Sequence, residues 1–290
     1  MTGASQLQIG TARRVEFDLP TQRIAALQSG ERGARPALLV PGYTGSKEDF
    51  GPILDPLAAA GFLVTAIDLP GQLDSPGFAE PADYTPDRLA RVVCELAAQL
   101  ADSTRPGGMA QPDGRVLLLG HSFGGLVARA AVIAEPARFA SLVLLGSGPA
   151  RIDGQRRMTM DQLDPVLASA GVAAVYAAMQ AEWEKDPGYV APAPDLASFL
   201  ERRFLSGTPA MLKGMADALR DEPDRVEHLR ATGVPVSVLH GADDDAWLPP
   251  LQHAMAQRLG ANYVVIPDAA HSPAVENPAA TAAALIDLWT

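Results

Sequence analysis

Short, continuous apolar runs recur along the chain, and segments with helical spacing separate most of them. The runs have the length and composition of strands that are buried on both faces of a parallel sheet. Buried strands are predicted over 36–40, 62–67, 115–119, 141–145, 235–239 and 263–266. Helices are predicted over 50–60, 86–101, 125–134, 250–259 and 279–288. This alternation predicts an α/β protein with a mostly parallel, doubly wound sheet.

The N-terminal segment follows a different pattern. Residues 14–19 alternate between apolar and polar side chains, which is typical of a half-buried strand. Residues 24–27 are then expected to be the hairpin partner of that strand.

The strand pattern stops for about 80 residues in the second half of the chain. Between 149 and 228 the spacing predicts only helices, the longest over 160–184 and 196–219. We therefore divide the chain into a first core part (1–148), a helical insertion (149–228) and a second core part (229–290). The insertion is interpreted as a lid over the strand ends, the alternative being that its helices enlarge the core. An adaptable apolar pocket wall is expected from Met158, Met160, Met179, Met211, Met215, Trp183 and Phe204, although each could be ordinary helix core.

The net charge and the cysteine content limit which binding partners and which cellular location are expected. The 290 residues carry a net charge of −11, which argues against binding to nucleic acid or to an anionic membrane surface. The single cysteine, Cys94, cannot form an internal disulfide and is expected to be a buried helix residue. No signal-peptide pattern is visible and no apolar run approaches a membrane-spanning length, so a cytoplasmic location is the expectation.

One pentapeptide carries the strongest chemical signal. The sequence Gly120-His121-Ser122-Phe123-Gly124 joins a predicted buried strand to a predicted helix. In that context Gly-x-Ser-x-Gly predicts a sharp turn that presents the serine Oγ at the strand end, close to the N–H groups of the new helix. The alternative is a glycine-rich turn in which the serine is a bystander.

A serine hydroxyl needs a base, and one histidine is well placed to be that base. The chain has five histidines: His121, His228, His240, His253 and His271. His271 lies in a loop directly after the last predicted strand, at the sheet edge where the serine turn also emerges. By contrast, His121 is expected to point away from Oγ, His228 and His253 lie on predicted helices, and His240 ends a buried strand.

The base in turn needs an acid that orients it, and the loop after the 235–239 strand offers three. Asp243, Asp244 and Asp245 are consecutive, and their mutual repulsion favours a compensating partner for at least one of them. An imidazolium at His271 would be such a partner. The loop could also be a solvated acidic turn or a helix N-cap.

These residues resemble the α/β-hydrolase fold superfamily over nearly the whole chain. Ser122, an aspartate and His271 follow each other in the chain order of that family's catalytic triad. The family's Gly-x-x-Asp motif maps the acid to Asp244, with Asp243 and Asp245 as alternatives. The other acid position that some members use is here Ser147-Gly148-Pro149, which offers no carboxylate.

The same resemblance implies an oxyanion hole. Its two backbone N–H donors would be those of Phe123, after the nucleophile, and of Tyr43. Members usually carry His-Gly where this chain has Pro41-Gly42, a departure that removes a side chain but not the donor. The loop that begins at Asp68 also resembles the family and is interpreted as structural, with Asp68 holding backbone donors.

The resemblance implies a serine hydrolase that uses an acyl-enzyme and needs neither metal nor cofactor. The expected partner is a small or medium ester with an apolar acyl part. Thioester hydrolysis, carbon–carbon bond hydrolysis or a non-catalytic ligand-binding role on the same fold remain alternatives. The sequence does not indicate an oligomeric state.

Overall fold

The computed structural model describes residues 6–103, 114–185 and 187–290. Its strands form one eight-stranded sheet in the order β1-β2-β4-β3-β5-β6-β7-β8. They are β1 (Arg13–Asp18), β2 (Arg23–Ser29), β3 (Arg35–Val40), β4 (Phe62–Ile67), β5 (Val116–His121), β6 (Phe139–Leu145), β7 (Val236–Gly241) and β8 (Asn262–Ile266). The pairs β1–β2 and β2–β4 are antiparallel and all the other pairs are parallel. Both the N-terminal hairpin and the mostly parallel sheet are therefore confirmed.

Within the described residues, ten α-helices accompany the sheet. They are α1 (Gly51–Ala59), α2 (Pro86–Ser103), α3 (Phe123–Ala134), α4 (Gly154–Trp183), α5 (Pro194–Ser206), α6 (Pro209–Asp221), α7 (Val226–Ala231), α8 (Pro249–Leu259), α9 (Pro273–Glu276) and α10 (Pro278–Trp289). Short 3₁₀ segments precede α1 and α2 and follow α3.

Both faces of the sheet are covered over its central strands, since β3, β4, β5, β6 and β7 are buried at nearly every position. In β3, Leu38 and Val40 pack into a core shared with α2, α3 and α8, whereas Ala37 and Leu39 pack into a core shared with α1 and α10. Cys94 lies on the α2 side of the sheet and is buried, as expected. Burial raises the pKa of its thiol to about 12.

The helical insertion, residues 149–228, differs in detail from its prediction. The predicted helix over 196–219 is two helices, α5 and α6, since the chain turns at Gly207 and the Thr208 hydroxyl caps α6 by accepting from Met211 N–H at 3.0 Å. Helix α4 begins six residues before the prediction and is kinked at Gly171, where φ is 79°. The predicted boundary at 228 falls inside α7, whose buried Val226 packs in the core.

The two ends of the insertion are joined to each other. Arg151 N–H donates to the carbonyl of Glu222 at 2.8 Å, and Ile152 N–H donates to the carbonyl of Leu219 at 2.8 Å. Beneath them, the buried guanidinium of Arg129 on α3 donates from Nη2 to Glu222 Oε1 at 2.8 Å. The insertion therefore leaves and rejoins the core at one place.

Among the helices described, α4 alone is long and apolar enough to cross a membrane by length and composition. The sequence analysis expected no such run. A single helix that passes this test is weak evidence, and the kink at Gly171 divides it.

Candidate active site

The serine turn has the geometry that its glycines permit. Ser122 lies between β5 and α3 with φ 56° and ψ −122°, a backbone conformation that residues other than glycine rarely adopt. A Cβ at Gly120 would overlap the Gly124 carbonyl, and a Cβ at Gly124 would overlap the carbonyls of Val40 and Pro41. Both positions therefore require glycine for the turn to close this tightly.

A hydrogen-bonded chain connects Ser122, His271 and Asp244. Ser122 Oγ lies 2.9 Å from His271 Nε2, and His271 Nδ1 lies 2.9 Å from Asp244 Oδ1. Because the carboxylate accepts, Nδ1 carries the proton and Nε2 is left to accept from the serine hydroxyl. Asp244 is fully buried, whereas Ser122 and His271 are nearly buried and border a cavity.

The three consecutive aspartates separate by partner. Asp244 Oδ1 also accepts from Ala246 N–H at 2.9 Å, and its Oδ2 accepts from Gln252 Nε2 at 2.9 Å. Burial raises the pKa of the Asp244 carboxyl, but the hydrogen bonds from His271, Ala246 and Gln252 outweigh that effect and lower it. Asp245 instead pairs with Arg156 of the insertion, with both carboxylate oxygens engaged at 2.6 and 3.0 Å. Asp243 donates its backbone N–H to the Ala269 carbonyl at 3.0 Å.

His121 contacts the base rather than the serine. Its Nε2 lies 2.7 Å from the carbonyl oxygen of His271 and therefore donates to it. The ring borders the same cavity as Ser122, but its hydrogen bond goes to the His271 carbonyl and not to the Ser122 Oγ. Burial, with His271 nearby, lowers the pKa of His121 to about 4 and keeps the ring neutral at pH 7.

The remaining histidines lie where the sequence analysis expected them. His228 is on α7 and His253 is on α8. Near the end of β7, both ring nitrogens of His240 have a hydrogen-bond partner. Nδ1 lies 2.7 Å from the Gly241 carbonyl oxygen, and Nε2 lies 2.6 Å from the Tyr263 hydroxyl oxygen.

The two predicted N–H donors lie on segments that flank Ser122. Phe123 is the first residue of α3, and a helix leaves the N–H groups of its first turn without an internal partner. Tyr43 follows Gly42, where an added Cβ would come within 2.9 Å of the Ser122 Cβ. The Tyr43 hydroxyl donates to the Leu212 carbonyl of the insertion at 3.1 Å, and its ring borders the cavity.

The serine opens into a cavity of about 800 Å³ between the sheet edge and the insertion. Met160, Met179, Trp183 and Phe204 line it, as expected. Met158 does not, because it is half exposed on the outside of α4, and Met211 and Met215 are buried in the core instead. Other apolar side chains of the wall are Leu163, Leu167, Val175, Leu200, Leu212 and Leu219.

Two ion pairs join the insertion to the core at the cavity. Arg156 on α4 binds Asp245, and Arg203 on α5 donates from Nη1 to Asp49 Oδ1 at 2.6 Å. Asp49 also accepts from Ser46 N–H at 3.0 Å, so the second pair is fixed on its core side. All four residues border the cavity. In the part of the chain that the structure describes, no group of three or more histidine, cysteine, aspartate or glutamate side chains could hold a metal ion.

Comparison with known sequences decides the family. The sequence model described as the alpha/beta hydrolase family matches residues 37–284. The chain belongs to the α/β-hydrolase family.

Curated relatives of this α/β hydrolase include enzymes with different names. The chain is 28% identical over 256 residues to the pimeloyl-[acyl-carrier protein] methyl ester esterase of Neisseria meningitidis, covering 84% of the chain and 73% of the relative. It is 29% identical over 173 residues to the 2-succinyl-6-hydroxy-2,4-cyclohexadiene-1-carboxylate synthase of Escherichia coli, covering 59% of the chain and 67% of the relative.

Solved structures agree on the fold. A carboxylesterase of Nitrososphaera gargenis matches with a TM-score of 0.76 at 18% identity, covering 94% of this chain and 97% of the other. An esterase of Thermogutta terrifontis matches with a TM-score of 0.73 at 24% identity, covering 96% and 98%. At these identities the likeness establishes the architecture alone.

The loop that begins at Asp68 contacts the segment that precedes Tyr43, since Gln72 Nε2 donates to the Gly42 carbonyl at 2.7 Å. Asp68 itself holds neighbouring backbone groups. Its carboxylate accepts from Lys47 N–H at 2.8 Å and from Asp74 N–H at 3.2 Å, which agrees with the expected role. The sequence analysis missed the buried Lys47 ammonium, whose Nζ lies 2.6 Å from Asp68 Oδ2. It also missed Gln252, a polar residue on the buried face of α8, and that position in the helical spacing was the available signal.

Proposed function

We propose that the chain is a serine hydrolase that cleaves the ester bond of a small or medium, partly apolar substrate. Ser122 would be the nucleophile, His271 the base and Asp244 the acid that orients it. The observation that carries this proposal is the pair of 2.9 Å hydrogen bonds that link the three side chains beside the cavity.

In this mechanism His271 Nε2 takes the proton of the Ser122 hydroxyl as Oγ attacks the acyl carbonyl. Negative charge then develops on the carbonyl oxygen, and the N–H groups of Phe123 and Tyr43 stabilise it. The protonated His271 gives its proton to the departing alkoxide, which leaves as an alcohol. A water molecule, deprotonated by His271, then attacks the acyl carbon of the acyl-enzyme. The bond to Oγ breaks, the carboxylic acid leaves, and His271 returns the proton to the Ser122 Oγ.

Ester hydrolysis is favoured over the alternatives by the relatives. The relative that aligns with 84% of the chain is by name a methyl ester esterase, whereas the synthase aligns with 59%. The mostly apolar cavity wall fits an apolar acyl group. We also propose that the helical insertion acts as the lid, since its helices form one wall of the cavity.

The test compares Ser122→Ala with a matched control, Ser169→Ala, which alters an exposed serine on α4. With p-nitrophenyl acetate and butyrate, Ser122→Ala is expected to lower kcat by at least about a thousandfold. Ser169→Ala should keep the parent rate. A fluorophosphonate probe should label the parent at Ser122 and leave Ser122→Ala unlabelled. Undiminished hydrolysis by Ser122→Ala would refute the assignment.

A further inference from the structure

Gln252 occupies a position that an apolar side chain would ordinarily fill. It lies on α8 with Met255 and Ala256, the other buried residues of that helix, and its side chain is fully buried. A buried amide reduces stability unless its polar atoms are paired. The residue therefore requires an explanation from its contacts.

The amide nitrogen of Gln252 has two acceptors. Nε2 donates to Asp244 Oδ2 at 2.9 Å and to the Trp247 carbonyl at 2.6 Å. Because both neighbours only accept, the amide is oriented with its NH₂ group towards them. Its Oε1 is buried and has no hydrogen-bond partner in the described part of the chain. Gln252 thus donates two hydrogen bonds but leaves its amide oxygen buried and unpaired. An unpaired buried oxygen lowers stability, so stability alone does not explain a glutamine at this position.

The contact completes the hydrogen bonding of Asp244. Oδ1 accepts from His271 Nδ1 and from Ala246 N–H, and Oδ2 accepts from Gln252. Rotation of the carboxylate away from His271 would break all three bonds. Gln252 also binds the backbone carbonyl of Trp247. The indole N–H of Trp247 donates to the Ala150 carbonyl at 3.1 Å, at the base of the insertion.

We propose that Gln252 is a positioning residue that holds the Asp244 carboxylate in the orientation that serves His271. The inference rests on the proposed function. Gln252 does not contact the reacting atoms, and it acts only through Asp244.

Removing the donor has a consequence that a packing defect would not have. Without the donor, the Asp244 carboxylate can turn away from His271, and an imidazolium formed there then loses part of its ion-pair and hydrogen-bond stabilisation. The acid limb of the pH profile of kcat/KM is therefore expected to move to lower pH.

Few ionisable groups face this amide. Asp244 is in direct contact, with His271 beyond it, and His121 binds the carbonyl of His271. Asp245 points to Arg156 instead. A new feature in the pH profile of a Gln252 variant can therefore be assigned to these groups or to the substituted side chain.

The first variant is Gln252→Leu, with Gln257→Leu on the exposed face of the same helix as control. For Gln252→Leu we expect kcat to fall about tenfold to a hundredfold while KM changes little. Its acid limb should move down by about half a pH unit to one pH unit. Gln257→Leu should match the parent in rate and profile.

The second variant, Gln252→Glu, keeps the shape of the side chain and adds a titration. While the new carboxyl is protonated, its O–H can donate to Asp244 Oδ2 and support activity. Once it ionises, two carboxylates face each other and activity should fall, which gives a descending limb that the parent lacks. Thermal melting checks that each variant is folded.

A folded Gln252→Leu with the parent kcat and acid limb, or a Gln252→Glu with the parent profile, overturns the proposal. The NMR signal of the proton between His271 Nδ1 and Asp244 provides a test without substrate. It should shift or broaden in Gln252→Leu and not in Gln257→Leu, and an unchanged signal counts against the proposal. If Ser122→Ala retains activity, the proposed function fails separately from these results.

Discussion

The core and the helical insertion form opposite walls of one cavity, yet they are held in place by different means. On the core side, Ser122 and its neighbours are fixed by backbone contacts so close that Gly120 and Gly124 admit no side chain. On the insertion side, only Val175 and Tyr176 of α4 are buried, and the exposed pair Arg156–Asp245 helps to join the helix to the core. The comparison teaches that the position of Ser122 depends on local backbone geometry, whereas the cavity wall formed by the insertion depends on side-chain contacts between elements.

The largest difference between the two walls is expected in the free energy of unfolding, when one glycine in each wall is replaced by alanine. Gly124→Ala should destabilise the protein by about 3–5 kcal/mol or prevent folding, because the new Cβ meets two carbonyl oxygens. Gly171→Ala, at the kink of α4, meets open space and strains only its positive φ, so it should cost about 1–2 kcal/mol. Urea unfolding of both variants measures this, and equal losses would contradict the comparison.

The next largest effect is expected within the aspartate loop. Asp244→Asn should lower kcat by about a thousandfold to ten-thousandfold, because the amide favours the wrong tautomer of His271. Asp245→Asn, which loses only the exposed pair with Arg156, should stay within about tenfold of the parent.

Steady-state kinetics with p-nitrophenyl butyrate tests that ranking, with Asp243→Asn as a third variant. A greater loss at Asp243 or Asp245 than at Asp244 would move the acid to that residue.

The smallest effect is expected at the surface of the insertion. Arg156→Gln should raise KM about twofold to fivefold and leave kcat unchanged, since exposed ion pairs contribute little. Arg151→Gln is the control, because its pair with Asp153 at 3.4 Å stays within the insertion. KM measured at low and high salt tests the contribution of the Arg156–Asp245 ion pair. The salt dependence of KM that the parent shows should disappear in Arg156→Gln. A large fall in kcat would instead place Arg156 in the chemistry.

The same contrast explains what could be predicted from the sequence. The strands and most core helices follow from periodicity, and the family follows from the turn at Ser122 with His271 and an aspartate in later loops. The choice of Asp244 over its neighbours needed the family motif, because three adjacent carboxylates differ only in where the fold points them.

Packing inside the insertion was beyond reach for a related reason. Met160 and Met211 both lie on helices with apolar faces, yet Met160 borders the cavity and Met211 packs in the core. Periodicity identifies a buried face but not what buries it. The break at Gly207 and Thr208 was missed although the sequence signals it, because glycine is common after a helix end and Thr208-Pro209 is a typical helix start.

The closed base of the insertion bears on how such enzymes diversify. Arg151 and Glu222 bring its two ends together, so each doubling of the length of the segment between them would add only about 0.6 kcal/mol of loop-closure cost. We expect that evolution can lengthen, shorten or replace that segment as a unit while β6 and β7 keep their register. A new substrate preference would then be acquired by exchanging one cassette, without rebuilding the enzyme.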